Sequence, residues 1–311
     1  MKEVRQLVLE IRGLKKAFPG HLSVGRTPVL TGVDLSVKEG EIYGFLGVNG
    51  AGKTTTLKIV AGLIHADRGA VFIHGRPATD PAARRLMGFL PEQPSFYDHL
   101  NAAEFLDLHG RLLGLPDRRL HVQRILERVG MAERAGIPIR KCSKGMLQRI
   151  GIGQAIMGEP RLLILDEPLS GLDPAGRRDL RDIILEQCRQ GATVFFSSHI
   201  LSDAELICDR VGVLHGGRLI LEGRLQDLLA REIPAWEVSM RTPGSLPELQ
   251  GVTVVSRQGD RAFLQVTGER ELTAFLDWLS AAGGHLLSLV PSRHSLEERF
   301  LDLVGREKGG S

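Results

Sequence analysis

The segment Gly47–Thr54 constrains the fold of this chain more than any other part of the sequence. It matches the pattern G-x-x-x-x-G-K-[ST]. Glycines in such a segment let backbone N–H groups converge on phosphate oxygens, because no Cβ blocks the approach. An apolar strand is predicted before it at Glu41–Leu46, and helical spacing follows over Thr55–Leu63. Strand, glycine loop and helix together predict a phosphate-binding loop in an α/β fold.

A second apolar strand supplies carboxylates for the same site. Leu162–Leu165 is typical of a strand buried on both faces of a parallel sheet, and Asp166 and Glu167 follow it directly. Asp166 is expected to hold Mg²⁺ together with the hydroxyl of Thr54. Glu167 is expected to act on the attacking water as general base, and Lys53 to reach the β- and γ-phosphates. An ordinary glycine-rich turn and a solvated acidic strand end are the alternatives.

Composition limits the classes of partner. Hydrophobic residues make up 42% and charged residues 25% of the chain, which is a globular composition. Lys and Arg number 40 against 37 Asp and Glu, so no nucleic-acid partner is expected. The three cysteines have no C-x-x-C spacing, which favours a reducing cytosol over a zinc or disulfide framework. No stretch approaches the ~18 apolar residues of a membrane span, so membrane association is expected only through a partner.

The remaining periodicity predicts two strands, a helical region and a second α/β crossover. Apolar and polar residues alternate over Gln6–Ile11 and Val29–Val37, on either side of the loop Pro19–Pro28. Residues 98–160 are predicted to be mostly helical. The expected helices are Ala102–Leu113, Arg119–Val129 and Gly176–Gln190. The strand Thr193–Ser197 follows the last of these and completes a βαβ unit with Leu162–Leu165.

The pattern changes beyond about residue 231. The predicted strands are Trp236–Met240, Val252–Ser256, Ala262–Thr267 and His285–Val290. The predicted helices are Glu271–Ala282 and Ser295–Val304. This order indicates a small α+β domain, with a ferredoxin-like arrangement as the candidate topology.

Three further segments carry a resemblance to a known family. Pro168–Asp173, which reads Pro-Leu-Ser-Gly-Leu-Asp, follows the acidic strand; His199 ends the next strand, and Cys142–Arg149 precedes the acidic strand. In this order the segments resemble the D-loop, switch histidine and signature motif of ABC ATPases. The resemblance covers residues 6–230. It implies an α/β fold: a RecA-like P-loop NTPase core, an antiparallel β subdomain and a helical signature subdomain at about 98–160. The α+β pattern beyond it predicts a separate accessory domain at 233–311.

The signature segment departs in part from the family pattern Leu-Ser-Gly-Gly-Gln followed by Gln-Arg. Ser143, Gly145, Gln148 and Arg149 agree with the pattern, and Cys142, Lys144 and Met146 depart from it. The resemblance implies that Ser143 and Gly145 contact the γ-phosphate from a helix N-terminus. Lys144 either adds positive charge there or faces solvent.

The resemblance also implies the other contacts of ATP and Mg²⁺. Glu92 aligns with the glutamine that touches Mg²⁺ and senses the membrane subunit, and Gln93 is the alternative. Phe18 matches the aromatic residue that stacks on adenine, with core packing as the alternative. Implied nucleotide contacts also come from Asn49, Gly50, Ala51, Gly52, Lys53, Thr54, Thr55 and Asp173, and implied catalytic residues are Glu167, His199 and Lys53.

The resemblance implies a motor that works as a head-to-tail dimer. Each ATP lies between the phosphate loop of one copy and the signature of the other, and integral-membrane permease subunits are the second partner. The ending Ser295–Leu301 is similar to that of bacterial ABC-2-type exporter ATPases, so the expected location is the cytoplasmic face of the bacterial cell membrane. A non-transport ABC ATPase and a regulatory ATP-dependent dimerisation module are the alternatives.

Overall fold

A computed structural model describes residues 6–19, 25–230, 235–242, 246, 248–292 and 295–300. The chain divides into two compact units, Met1–Leu225 and Gln226–Ser311. The strands of the first unit are β1 (Leu7–Pro19), β2 (Arg26–Lys38), β3 (Ile42–Leu46), β4 (Arg68–Ile73), β5 (Arg76–Pro77), β6 (Met87–Leu90), β7 (Leu162–Leu165), β8 (Thr193–Ser198), β9 (Arg210–His215) and β10 (Arg218–Arg224). Its helices are α1 (Lys53–Val60), α2 (Pro81–Arg84), α3 (Ala102–Leu112), α4 (Arg118–Arg128), α5 (Lys144–Ile156), α6 (Pro174–Arg189) and α7 (Leu201–Glu205); α8 (Leu225–Leu229) follows at the boundary.

A six-stranded sheet forms the centre of the first unit. Its strand order is β10-β9-β3-β8-β7-β6, and only β10 runs antiparallel to its neighbour. Every residue of β3, β7 and β8 is buried, as their continuous apolar and β-branched sequences require. Because these three neighbours are parallel, the segments that follow them meet at one edge of the sheet.

A four-stranded antiparallel sheet, ordered β2-β1-β4-β5, covers the phosphate-loop helix. Leu9, Ile11 and Val33 from this sheet share one hydrophobic core with Leu57 of α1 and Phe195 of β8. Strand β1 runs to Pro19, well past the end predicted at residue 11. The pairing with β2 shifts register between Ile11 and Leu14, so a bulge breaks the alternation on which the prediction relied.

Helices α3, α4 and α5 follow β6 and precede β7 in the sequence; they pack on one another, and α5 also packs on β6. A capping box between Asn101 and Glu104 starts α3, and the hydroxyl of Ser143 caps α5. Arg149 of α5 donates to the carbonyl oxygen of Val129 and pairs with Asp179 of α6. The mostly helical region predicted at 98–160 is therefore present.

The second unit contains a four-stranded antiparallel sheet and one long helix. Its elements are β11 (Ala235–Arg241), β12 (Val252–Gln258), β13 (Arg261–Thr267), α9 (Glu269–Ala281) and β14 (His285–Ser292). The sheet order is β12-β13-β11-β14. A ferredoxin-like unit has a helix between its first two strands, and the described residues between β11 and β12 contain none. Phe275 and Leu279 of α9 pack on Val238, Leu264 and other buried residues of the sheet. The predicted last helix is present over 296–300, and residues 301–304 lie outside the described residues.

Among the described residues, no helix combines the length and the hydropathy that crossing a bilayer requires.

Candidate active site at the carboxyl edge of the parallel sheet

The phosphate loop lies between β3 and α1, where the sequence predicts it. Gly47 must be glycine, because a Cβ there would collide with the carbonyl oxygen of Leu214. Gly52, at φ 110°, caps α1, and Lys53 begins the helix. Asn49 and Gly50 are exposed, and a Cβ added to Gly50 would meet no atom within 4 Å. The loop thus offers an open backbone concavity in front of a helix N-terminus, which suits a phosphate group.

Lys53 is buried beneath this loop. Only 5% of the residue is exposed. Its Nζ donates to the carbonyl oxygens of Gly47 and Val48, at 2.7 and 3.3 Å, and lies 3.2 Å from Glu167 Oε1. The ammonium group therefore links the phosphate loop to the carboxylate at the end of β7.

Asp166 is fully buried at the end of β7. Its Oδ1 accepts hydrogen bonds from Ser197 Oγ at 2.7 Å and from Thr54 Oγ1 at 3.2 Å. Burial raises the pKa of Asp166; the Ser197 and Thr54 hydrogen bonds lower it, and the charges of Glu92 and Glu167 add to the rise. Asp166 Oδ2 is buried without a hydrogen-bond partner among the described residues. A buried oxygen without a donor, beside a threonine hydroxyl, fits a hard cation such as Mg²⁺.

Glu167 occupies a conformation that non-glycine residues rarely adopt, with φ 49°. Its N–H donates to Ser197 Oγ at 2.9 Å, and its Oε2 lies 2.7 Å from Nδ1 of His199. The carboxylate therefore sits between the Lys53 ammonium group and the His199 ring. Because such a backbone conformation costs on the order of 1–3 kcal/mol, a specific role for this carboxylate is indicated.

Ser197 is a site residue that the sequence analysis missed. Its hydroxyl donates to Asp166 and accepts from the backbone of Glu167, so one side chain orients both neighbouring acids. The available signal was its position two residues before His199 at the end of a buried strand. A serine in a buried strand is expected to be a packing residue as long as its neighbours on the adjacent strand are unknown. Sequence alone therefore did not identify Ser197.

The signature residues lie apart from the phosphate loop of their own chain. Ser143 is exposed and its Oγ accepts a hydrogen bond from the N–H of Met146 at 3.3 Å. Gly145 lies near Leu172, whose Cδ2 is 3.8 Å from a Cβ built on the glycine. Within the described part of the chain, neither Ser143 nor Gly145 is hydrogen-bonded to the phosphate loop.

The other predicted site residues have varied surroundings. Asp173 caps α6, accepting from the N–H of Gly176 at 3.0 Å. Phe18 is 38% exposed, and Lys16 Nζ lies 5.3 Å from the centre of its ring, so core packing does not account for it. Glu92 and Gln93 are both exposed, and only Glu92 affects the pKa of Asp166. Ala51 is buried and Thr55 half-buried.

Comparisons with known proteins agree with this geometry. The family model described as "ABC transporter" matches residues 30–170. The chain is 41% identical to the ABC transporter ATP-binding protein YxlF of Bacillus subtilis, over 96% of this chain and 99% of that protein. It is 32% identical to the linearmycin resistance ATP-binding protein LnrL of the same organism, with the same coverage. It is 35% identical to the lantibiotic transport ATP-binding protein SrtF of Streptococcus pyogenes, over 69% of this chain and 90% of that protein.

Solved structures show the same fold. An ATP-binding subunit of an ABC transporter is 35% identical and superposes with a TM-score of 0.62, over 71% of this chain and 91% of that one. An ATP-binding cassette solved as a dimer in a post-hydrolysis state with ADP and Pi is 24% identical, with a TM-score of 0.64, over 70% of this chain and 98% of that one. The sequence match to full-length relatives, together with the phosphate loop and paired acids at one sheet edge, establishes that this chain belongs to the ATP-binding subunits of ABC transporters.

Proposed function

We propose that this subunit hydrolyses Mg²⁺-bound ATP to power export through a separate permease, as an ABC-2-type exporter ATPase. The observation that carries the hydrolytic part is the buried Glu167 carboxylate, placed between Lys53 and His199 and adjacent to Asp166. The export part rests on similarity to proteins named for linearmycin resistance and lantibiotic transport.

The catalytic roles follow from the groups at the sheet edge. Glu167 would accept a proton as water attacks the γ-phosphorus, and the bond from that phosphorus to the bridging oxygen would break to release ADP. His199, hydrogen-bonded to Glu167, would hold the carboxylate and face the γ-phosphate. Lys53 would turn from the carbonyl oxygens of Gly47 and Val48 to the phosphates. Phe18 would stack on adenine, while Asn49, Gly50, Ala51, Gly52, Thr54 and Thr55 would surround the phosphates.

Asp166 and Thr54 would hold Mg²⁺, with Glu92 near them. The fit rests on the unpartnered Oδ2 of Asp166 and on the all-oxygen character of these side chains. When bound, Mg²⁺ would neutralise charge on the β- and γ-phosphates. Gln93 remains the alternative to Glu92 in this group.

We further propose that two copies assemble head to tail. Ser143 and Gly145 are presented on the exposed start of α5 and are not bonded to the phosphate loop of their own chain in the described residues. Both would contact the γ-phosphate held by the partner copy, where the α5 dipole favours an anion. Asp173, which begins α6, would link the two nucleotide sites.

The permease would dock on the helical region, at the cytoplasmic face of a bacterial cell membrane. A cavity of about 1280 Å³ is lined there by Tyr97, His99 and Leu100 together with α3 and α4 side chains such as Leu108 and Leu120. This cavity adjoins the segment that follows Glu92, through which movement would pass. Residues 6–230 would form the motor, and residues 233–311 an accessory domain.

The experiment is ATP hydrolysis by the purified full chain, with and without Mg²⁺, repeated after co-purification with any membrane protein whose gene lies beside its own. Mg²⁺-dependent hydrolysis that rises when the permease is present supports the proposal. Nucleotide binding without hydrolysis, even with the permease present, would instead favour a regulatory dimerisation module.

A further inference from the structure

Lys144 packs over the turn that follows the acidic strand. Gly171, in that turn, has φ 67°. If a Cβ were added to Gly171, the three nearest atoms would all belong to Lys144. Nζ would collide with that Cβ, Cε would lie 3.1 Å from it and Cδ 3.6 Å. The end of the lysine side chain thus occupies the space that any other residue at position 171 would fill.

The contact is made by the far end of the side chain, the ammonium group together with Cε and Cδ, and not by an ion pair. Within the described residues, no carboxylate oxygen lies within 4.0 Å of the Lys144 ammonium group. Long basic side chains commonly lay their methylene groups on a neighbouring surface while the charged end stays hydrated. Lys144 is therefore exposed to solvent, one of the two alternatives that the sequence had left open, while the end of its side chain lies against Gly171 without an acid as partner.

A second contact joins the same two segments. Gly145 faces Leu172, the residue after Gly171. The turn itself is hydrogen-bonded to the acid, because the N–H of Ser170 donates to the carbonyl oxygen of Glu167 at 3.1 Å. A continuous set of contacts therefore runs from the start of α5, through Lys144 and Gly171, to the backbone of Glu167.

We propose that Lys144 is a positioning residue that ties the signature to residues 169–172 within one subunit. This inference rests on the proposed dimer, in which Ser143 and Gly145 meet the ATP of the partner copy. Through Lys144, closure of the signature on that ATP would set the position of the subunit's own Glu167. Each site would then report its occupancy to the other, and hydrolysis would depend cooperatively on ATP concentration.

The first test needs no hydrolysis. Hydrogen–deuterium exchange of the amides of residues 169–173 is measured in the nucleotide-free full chain for wild type, Lys144→Ala, Lys144→Met and Lys141→Ala. Lys144→Ala should exchange about threefold faster, because the covering methylene groups are lost. Lys144→Met keeps that cover and should match wild type, as should Lys141→Ala, an exposed lysine nearby. If exchange in Lys144→Ala equals that of wild type, Lys144 does not hold residues 169–172 in place. If Lys144→Met exchanges as fast as Lys144→Ala, the ammonium group and not the methylene groups protects these amides, and packing by the methylene groups is overturned.

The second test separates this inference from the proposed function. The Hill coefficient of ATP hydrolysis should fall toward one in Lys144→Ala, while affinity for a fluorescent ATP analogue stays within about twofold because the phosphate loop is untouched. Lys144→Met should restore the coefficient. Absence of hydrolysis in wild type counts against the proposed function. The exchange data would still decide whether Lys144 positions residues 169–172. Cooperative hydrolysis in Lys144→Ala equal to wild type would overturn the link between sites alone.

Discussion

The two halves of the proposed nucleotide site are built differently. On the phosphate-loop side, Lys53 is 5% exposed, Glu167 7% and Asp166 is fully buried, and each is bonded to a neighbouring strand or loop. On the signature side, Ser143 and Lys144 are exposed at the start of α5. One half is thus organised inside a single chain, and the other is displayed on its surface.

This difference separates binding from hydrolysis. The buried acids are already held by several partners, so ligand binding requires little beyond the turn of Lys53 toward the phosphates, and the phosphate-loop half is suited to bind nucleotide alone. An exposed helix start gains a function only when a second surface meets it. A monomer should therefore bind ATP, and only a dimer should turn it over efficiently.

The largest effect is expected from Glu167→Gln. The amide keeps the shape of the side chain but is a far weaker base, so hydrolysis should fall by about 10²–10⁴-fold. ATP binding should persist, and the protein should accumulate as an ATP-bound dimer in size-exclusion chromatography. Glu186→Gln, on an exposed part of α6, is the matched control. If Glu167→Gln hydrolyses ATP at the wild-type rate, Glu167 is not the general base. The buried half of the site would then not be the half that carries the chemistry.

Lys53→Ala should weaken nucleotide binding itself. Loss of charge-assisted hydrogen bonds to the phosphates should lower ATP affinity by about 10- to 100-fold. Titration with a fluorescent ATP analogue measures this directly. Lys58→Ala, on the exposed side of the same helix, should leave the affinity unchanged. Equal ATP affinities for wild type, Lys53→Ala and Lys58→Ala would show that the buried ammonium group of Lys53 stabilises the nucleotide-free fold and does not bind the ligand.

Ser143→Ala should affect assembly more than binding. Removing the α5 cap should cost about 1 kcal/mol of unfolding free energy. Affinity for ATP in the monomer should not change, whereas ATP-dependent dimerisation should weaken. Ser143→Asn keeps a capping oxygen and is expected to recover the thermal stability without recovering the dimer. Full recovery of both by asparagine would mean that capping is the only role of this hydroxyl.

Asp166→Asn should stabilise the nucleotide-free chain while abolishing Mg²⁺-dependent turnover. Because the pKa of Asp166 is raised in the folded state, its contribution to stability is present at low pH and lost as pH rises through that pKa. The variant should therefore have a higher unfolding free energy than wild type near pH 7, with the difference shrinking as the pH falls. Thermal melts across this range test it, with the exposed Asp182→Asn as control. A variant less stable than wild type at neutral pH contradicts this sign.

The smallest effect distinguishes Glu92 from Gln93. Glu92 acts electrostatically on Asp166, so Glu92→Ala should raise the Mg²⁺ concentration for half-maximal hydrolysis by about threefold. Gln93→Ala should leave it nearly unchanged. The opposite ranking would assign the metal-side role to Gln93.

Local patterns predicted most of the motor fold because its strands are short, apolar and followed by distinctive loops. The strands β3 and β7 and the helix α6 lie within two residues of their predicted limits. The prediction failed where pairing creates irregularity, as in β1, whose bulge at residues 11–14 is set by β2. Strand β10, whose pairing with β9 shifts register between Leu219 and Leu221, carried no distinct pattern either.

The sequence by itself determined the chemistry: a phosphate loop, two acids after a buried strand, a histidine after the next strand and a signature before them. These are linear patterns in which residue type and spacing carry the meaning. Only the tertiary structure decided which groups touch. Ser197 on Asp166, Lys53 on Glu167 and Lys144 over Gly171 each join residues more than 25 positions apart. Such contacts depend on the order in which strands pair and on the packing of helices over them, and no local pattern encodes that order.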